Sequence, residues 1–175
     1  MFFKYLKYFI PSITGLFTIL AFSMGEYYPT CFFISFSLFI ILGDYFFGKD
    51  KKVESFSYPG LINFSLYINL PILFLLIIFV SSLFSHHLSS GYIYLVNQLL
   101  SIDLLFLKES FNIIDKISII AQTGLSIGMY GTIPGHELTH RKKNKLDMFF
   151  GNWLLAFSWD CTFAIEHVYG HHKNV

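Results

Sequence analysis

Two clusters of side chains near the end of the sequence have the types and spacing of a metal site: His136-Glu137-Leu138-Thr139-His140 and Glu166-His167-Val168-Tyr169-Gly170-His171-His172. Together they hold five of the chain's seven histidines. Residues four apart on a helix lie one above the other on the same face, so His136 and His140 can grip one ion between them. His167 and His171 repeat the four-residue step, and His172 places a further imidazole beside them. Five nitrogen donors exceed what one tetrahedral zinc takes from a protein, since catalytic zinc keeps about three protein ligands and an open position. Two ions sharing a larger donor set fit better. Imidazole suits iron, copper and zinc alike, so the donors leave the metal open.

A lone HExxH arises by chance in many helices. The weight comes from the second box, with its three histidines following within thirty residues of the first. Glu137 and Glu166 read either as solvated helix carboxylates or, preferably, as acceptors for the outer N–H groups of metal-bound imidazoles. The adjacent pair His86-His87 reads as solvated loop residues, and Tyr130 with the Gly124-to-Gly135 run reads as small-residue packing in a membrane helix.

The elements that must position these boxes lie in a bilayer. A hydrophobic fraction of 54%, a mean hydropathy of +0.58 and only 13% charged residues stand far from soluble usage, where about a quarter of residues are charged. The expected fold is all-α, a polytopic transmembrane helical protein forming one module over residues 1–175. A net charge of +1 without a basic face or arm excludes nucleic acid as a partner. Four segments approach the roughly 20 residues needed to span: Phe9 to Gly25, Thr30 to Phe47, Ile62 to Phe84 and Ile117 to Pro134. Lys4 and Lys7 precede the first without a small-residue cleavage site after its apolar run, so it reads as a retained signal anchor. Tyr27-Tyr28-Pro29 is expected to turn the chain into the second span.

Short cytoplasmic loops carry the positive charge. Lys4 and Lys7, then Lys49, Lys51 and Lys52, then Arg141, Lys142, Lys143 and Lys145 form three basic groups, all expected on the cytoplasmic side. Parity then makes Tyr92 to Leu107, which contains Asn97, Gln98 and Asp103, a non-spanning element on the outer side. Asp147 to Ile165 lies between the boxes, which must share a side to share a metal, so it is expected to form a partly buried helix at the cytoplasmic face. Asp160 within it would face protein or a wet cavity, because a carboxylate in lipid is expensive. Cys31 and Cys161 fall on opposite sides in this topology and do not pair. Neither box uses cysteine, which argues against thiolate-bound iron.

HELTH followed by EHVYGHH resembles the first two histidine boxes of the integral-membrane alkane 1-monooxygenases, within the wider membrane desaturase and hydroxylase group. The family forms HELxHK or HELxHR and EHxxGHH are matched at His136, Glu137, Leu138, His140 and Arg141, then at Glu166, His167, Gly170, His171 and His172. Asp44-Tyr45-Phe46-Phe47-Gly48-Lys49-Asp50 is similar to the family's DxxxGxD segment, although the asparagine and prolines that usually follow it are absent. The resemblance implies a non-haem centre of two iron ions at the cytoplasmic face, with the five histidines among its ligands and dioxygen as co-substrate. The implied substrate is an apolar alkyl chain entering from lipid, oxidised at its terminal C–H bond. Electrons would come from a rubredoxin-type donor with an NADH-linked reductase, and the Arg141-to-Lys145 run could dock that donor or simply contact lipid headgroups. Such enzymes continue through further spans and histidine boxes, whereas this sequence stops at Val175. The expectation is a fragment that cannot alone hold the complete di-iron centre.

Nearer rivals are a fatty-acyl desaturase or an aromatic-methyl hydroxylase of the same group. More distant ones are a membrane zinc protease, in which Glu137 is the general base, and a non-catalytic membrane protein whose histidines buffer metal.

Overall fold

The computed structural model describes residues 3–47 and 55–170, and those residues are mostly helical, with no strand among them. His171, His172, Gly48, Lys49, Asp50, Lys51 and Lys52, all named above, lie outside the described residues. In chain order the α-helices are α1 (Phe3–Leu6), α2 (Ile10–Ser23), α3 (Tyr28–Phe47), α4 (Pro59–Tyr67), α5 (Asn69–Phe84), α6 (Ser90–Leu100), α7 (Leu104–Ser110), α8 (Ile113–Ser126), α9 (Ile133–Thr139) and α10 (Lys145–Ala156). A 3₁₀ turn, Lys7–Phe9, joins α1 to α2, and two π-helical stretches occur at Ile127–Thr132 and Ala164–Gly170.

Three helical runs are long and apolar enough to cross a membrane: Lys4–Ser23, Tyr28–Phe46 and Pro59–Phe84. They match the first three expected spans within a few residues. The turn between the first two falls earlier than expected, at Gly25 and Glu26, both with positive φ (75° and 46°). Pro29 sits inside the first turn of α3 instead, where a missing N–H costs nothing. The fourth expected span, Ile117 to Pro134, is helical but is not among the three. Its sequence explains why: Ser118, Gln122, Ser126 and Tyr130, each four residues after the last, are buried, while Ile113, Ile117, Ile120 and Ile133 are exposed. The polar stripe faces protein and the isoleucines face outward, the inside-out pattern of a helix in lipid.

The Tyr92-to-Leu107 stretch is the helix pair α6 and α7, bent by 84° across a short break, the shape of a broken span or a re-entrant loop. Its polar residues make the break. Asp103 caps α7 by accepting from the Leu105 and Phe106 N–H groups at 3.0 and 3.1 Å, Asn97 Oδ1 accepts from Leu104 N–H at 3.0 Å, and Ser101 has φ 53°.

Two compact units partition the chain, each discontinuous in sequence: Met1–Leu16 with Tyr58–Leu76 and Gly124–Val175, and Phe17–Ser57 with Ile77–Thr123. In the second, buried Asp115 accepts a 2.5 Å hydrogen bond from Thr30 Oγ1, and Lys108 donates to the Ser85 carbonyl. His86 and His87 are exposed there, and Asp44 is exposed on the last turns of α3. In the first, Ser12 donates to Asn69 at 3.1 Å and the Thr14 and Tyr130 hydroxyls meet at 2.7 Å. This first unit carries both histidine boxes.

Candidate metal centre

The first box is placed by glycine. A Cβ on Gly135 would lie 2.9 Å from Leu155 Cγ and 3.1 Å from the Gly151 carbonyl oxygen, and one on Gly151 would lie 3.1 Å from the Gly135 carbonyl oxygen. Each glycine therefore rests against the other's backbone, so α9 and α10 touch without side chains between them. Gly131, one turn earlier, is 3.0 Å by the same measure from the Leu154 carbonyl oxygen. His136 and His140 ride on the helix this contact fixes.

A polar cluster ties down the end of α9. Arg141, directly after His140, donates through Nη1 to Asn63 Oδ1 at 2.6 Å and through Nη2 to Glu137 Oε1 at 2.9 Å, and Nη1 lies 3.9 Å from Asp147 Oδ2. Buried Asp147 also accepts the Tyr67 hydroxyl. Asn144 Oδ1 caps α10 by accepting from Leu146 N–H at 3.0 Å, which presents Asp147 in that helix's first turn. Helices α4, α9 and α10 thus converge on one guanidinium. Arg141, expected to set topology, contact lipid headgroups or dock a donor, also ties these three helices together. Lys143 and Lys145 are the exposed cations of that run with no such role.

The expected helix between the boxes ends early, at Ala156. The Asp160 N–H bonds the Leu155 carbonyl at 3.2 Å and the Trp159 N–H bonds the Ala156 carbonyl at 3.1 Å, with Trp159 at φ 62°. These are the paired bonds of a Schellman cap, whose left-handed position usually belongs to glycine. Asp160, half-buried, follows directly. The chain then enters the π-helical stretch that carries Glu166 and His167.

Three side chains come together as the spacing predicted. His136, His140 and His167 bring one ring nitrogen each to within 4.8 Å of one another. His136 is the hub: its Nε2 lies 2.8 Å from His140 Nε2 and 3.0 Å from His167 Nε2. One imidazole nitrogen either donates or accepts, so at most one of these contacts is a well-formed hydrogen bond. A shared cation accounts for both. With metal–nitrogen bonds of about 2.0–2.1 Å, ligand atoms at right angles around one ion sit about 2.9 Å apart. The donor set fits a nitrogen-binding metal on that ground.

Both glutamates have partners of their own. Glu137 is paired with Arg141, and Glu166 Oε1 accepts from Thr162 Oγ1 at 3.0 Å. Neither belongs to the nitrogen cluster. Cys31 and Cys161 are both free and exposed. Asn63, Tyr67, Asp147 and Phe163 were not visible as site residues from sequence, because nothing in their spacing connects them to a box. Phe163 stacks on the His167 ring with centroids 4.6 Å apart and planes at 24°, and meets the His136 ring edge-on at 5.2 Å and 83°.

The chain is 34% identical over 71 residues to alkane 1-monooxygenase 2 of Alcanivorax borkumensis. The match covers 41% of this chain and 18% of that relative's length. No protein-family profile matches the chain, and no solved structure matches it.

Proposed function

We propose that the whole protein is a membrane non-haem di-iron monooxygenase that inserts one oxygen atom into a terminal C–H bond of an alkane or alkyl chain. The observation that carries this reading is the convergence of three Nε2 atoms from two boxes that lie 27 residues apart at their nearest histidines. The partial likeness to alkane 1-monooxygenase 2 supports alkane oxidation over the other oxygen-dependent reactions of similar membrane enzymes.

His136, His140 and His167 would hold iron, and His171 and His172 are proposed as further ligands. The chemistry iron supplies when bound is reductive activation of dioxygen, one atom going into the C–H bond and the other leaving as water. The chain's own part is to orient and protect. The Gly135–Gly151 contact and the Arg141 cluster fix the bearing of His136 and His140, and Glu137 and Glu166 would accept from outer imidazole N–H groups. An apolar substrate would arrive from the bilayer. Lys143 and Lys145 would receive an acidic rubredoxin-type donor, fed by an NADH-linked reductase, on the cytoplasmic side. A zinc-protease reading is weaker, since it needs one ligand beyond the first box and not a second box with three histidines.

The test is conversion of an n-alkane in membranes containing the whole protein, supplied with reduced rubredoxin and ¹⁸O₂. A primary alcohol carrying one labelled oxygen is expected, and His136→Ala should abolish it. Alcohol without label, or product formed without dioxygen, would overturn the assignment.

A further inference from the structure

We infer that Phe163 is a positioning residue for the metal ligands, acting through the faces and edges of its ring and not through its bulk. The inference rests on the reading of His136, His140 and His167 as ligands and adds a group that no box motif contains.

Three observations carry it. First, Phe163 touches a ligand from each box: its ring lies nearly flat on the His167 imidazole, at 4.6 Å and 24°, and nearly perpendicular to the His136 imidazole, at 5.2 Å and 83°. The two imidazoles stand at 73° to one another with centroids 4.8 Å apart, so their mutual angle is the one set by a stack on one side and an edge on the other. Second, the chain places Phe163 immediately after the Trp159 cap, with its N–H on the Asp160 carbonyl at 3.3 Å, and immediately before the π-helical stretch that carries His167. Its ring is therefore held from the backbone side by the same turn that begins the second box. Third, His167 meets His136 Nε2 at its own Nε2, at 3.0 Å, a contact at one point of the ring edge, and the ring plane is restrained by flat contact with Phe163. An imidazole must direct its lone pair at the ion, so a surface that fixes the ring plane preorganises coordination.

Aromatic pairs prefer offset-stacked and edge-to-face arrangements because the ring face is negative and its edge positive. An aliphatic side chain of similar volume fills the space without preferring either geometry. Leucine and tyrosine at position 163 therefore separate filling from orienting.

The experiment is Co²⁺ titration of the whole protein in detergent micelles, following the visible ligand-field bands of the bound ion, for wild type, Phe163→Leu, Phe163→Met and Phe163→Tyr. Far-UV circular dichroism and thermal melting are recorded alongside. Phe163→Leu is expected to keep the helical signal and to weaken Co²⁺ binding about tenfold, at the low end of the range for residues that orient ligands, with shifted bands. Phe163→Met serves the same purpose if the leucine variant fails to fold. Phe163→Tyr should retain wild-type bands and bind within about twofold. Wild-type affinity and spectrum in Phe163→Leu, or equal losses in Phe163→Leu and Phe163→Tyr, would overturn the inference. Failure of the wild-type whole protein to bind Co²⁺ would instead sink the metal reading on which it rests.

Discussion

Substituting Gly151 by alanine should push α9 away from α10 and carry the first histidine box with it. The added methyl would sit 2.9 Å from Thr139 Cγ2, 3.1 Å from Leu138 Cβ and 3.1 Å from the Gly135 carbonyl oxygen. Carbon atoms in ordinary contact are about 3.5–4.0 Å apart, so the overlap is about half an ångström on three sides. Two of those atoms belong to the framework of α9 and move only with the helix. The third cannot rotate away cheaply, because buried Thr139 donates its hydroxyl to the His136 carbonyl at 2.9 Å. Overpacking of this kind costs about 1–3 kcal/mol, and alanine recovers up to about 1 kcal/mol over glycine inside a helix. A net loss of about 0–2 kcal/mol remains. Gly124→Ala is the control, because no atom lies within 4 Å of its added methyl, and it should stabilise by about 0.5–1 kcal/mol. Reversible unfolding of both variants in mixed micelles measures the difference. The double variant Gly135→Ala/Gly151→Ala should cost less than the sum, since the first methyl already opens the gap the second needs. If Gly151→Ala proves as stable as Gly124→Ala, the two helices do not approach as closely as these distances say and the reasoning fails.

Removing the Tyr67 hydroxyl with Tyr67→Phe leaves buried Asp147 with its Arg141 contact at 3.9 Å, and should destabilise by about 1–3 kcal/mol, the range for a hydrogen bond to a charged group. Unchanged unfolding would show that the Asp147 carboxylate is satisfied without it. Trp159→Gly removes a side chain that is 95% exposed from a left-handed position at φ 62°, and should stabilise by about 1 kcal/mol. A loss of stability in the same micelle assay would mean that the indole makes a contact worth more than the strain.

The helical class and three of the spans were legible from hydropathy, because a bilayer admits long apolar helices and little else. The pairing of His136 with His140 was legible too, since four-residue spacing puts both on one helical face, whereas the approach of His167 followed only from taking the two boxes as one site. The fourth expected span, Ile117 to Pro134, is not among the three runs long and apolar enough to cross. Its polar stripe of Ser118, Gln122, Ser126 and Tyr130 is buried while its isoleucines face outward, and average hydropathy blurs two opposite faces into one middling value. The end of α10 at Ala156 was hidden because the left-handed residue is tryptophan, where a reader looks for glycine or asparagine. Arg141 looked like surface charge because its neighbours in sequence are lysines, whereas its partners Asn63 and Asp147 come from other helices. Phe163 offered no signal at all in a chain with 22 phenylalanines.

The π-helical stretch Ile127–Thr132 works like a spare tooth in a gear. A π turn closes its hydrogen bonds five residues back where an α-helix closes them four back, so the stretch holds one residue more than the same rise of α-helix would. Winding the same six residues as α-helix, with none removed, would keep the helix unbroken. Everything after it would then turn by about 100° relative to the preceding turn at Gly124–Ser126. Gly135 would no longer meet Gly151, and His136 would no longer point where His167 waits. The compass heading of the first box is thus encoded in the width of one upstream turn, and tightening that turn would redirect the histidines without altering either of them.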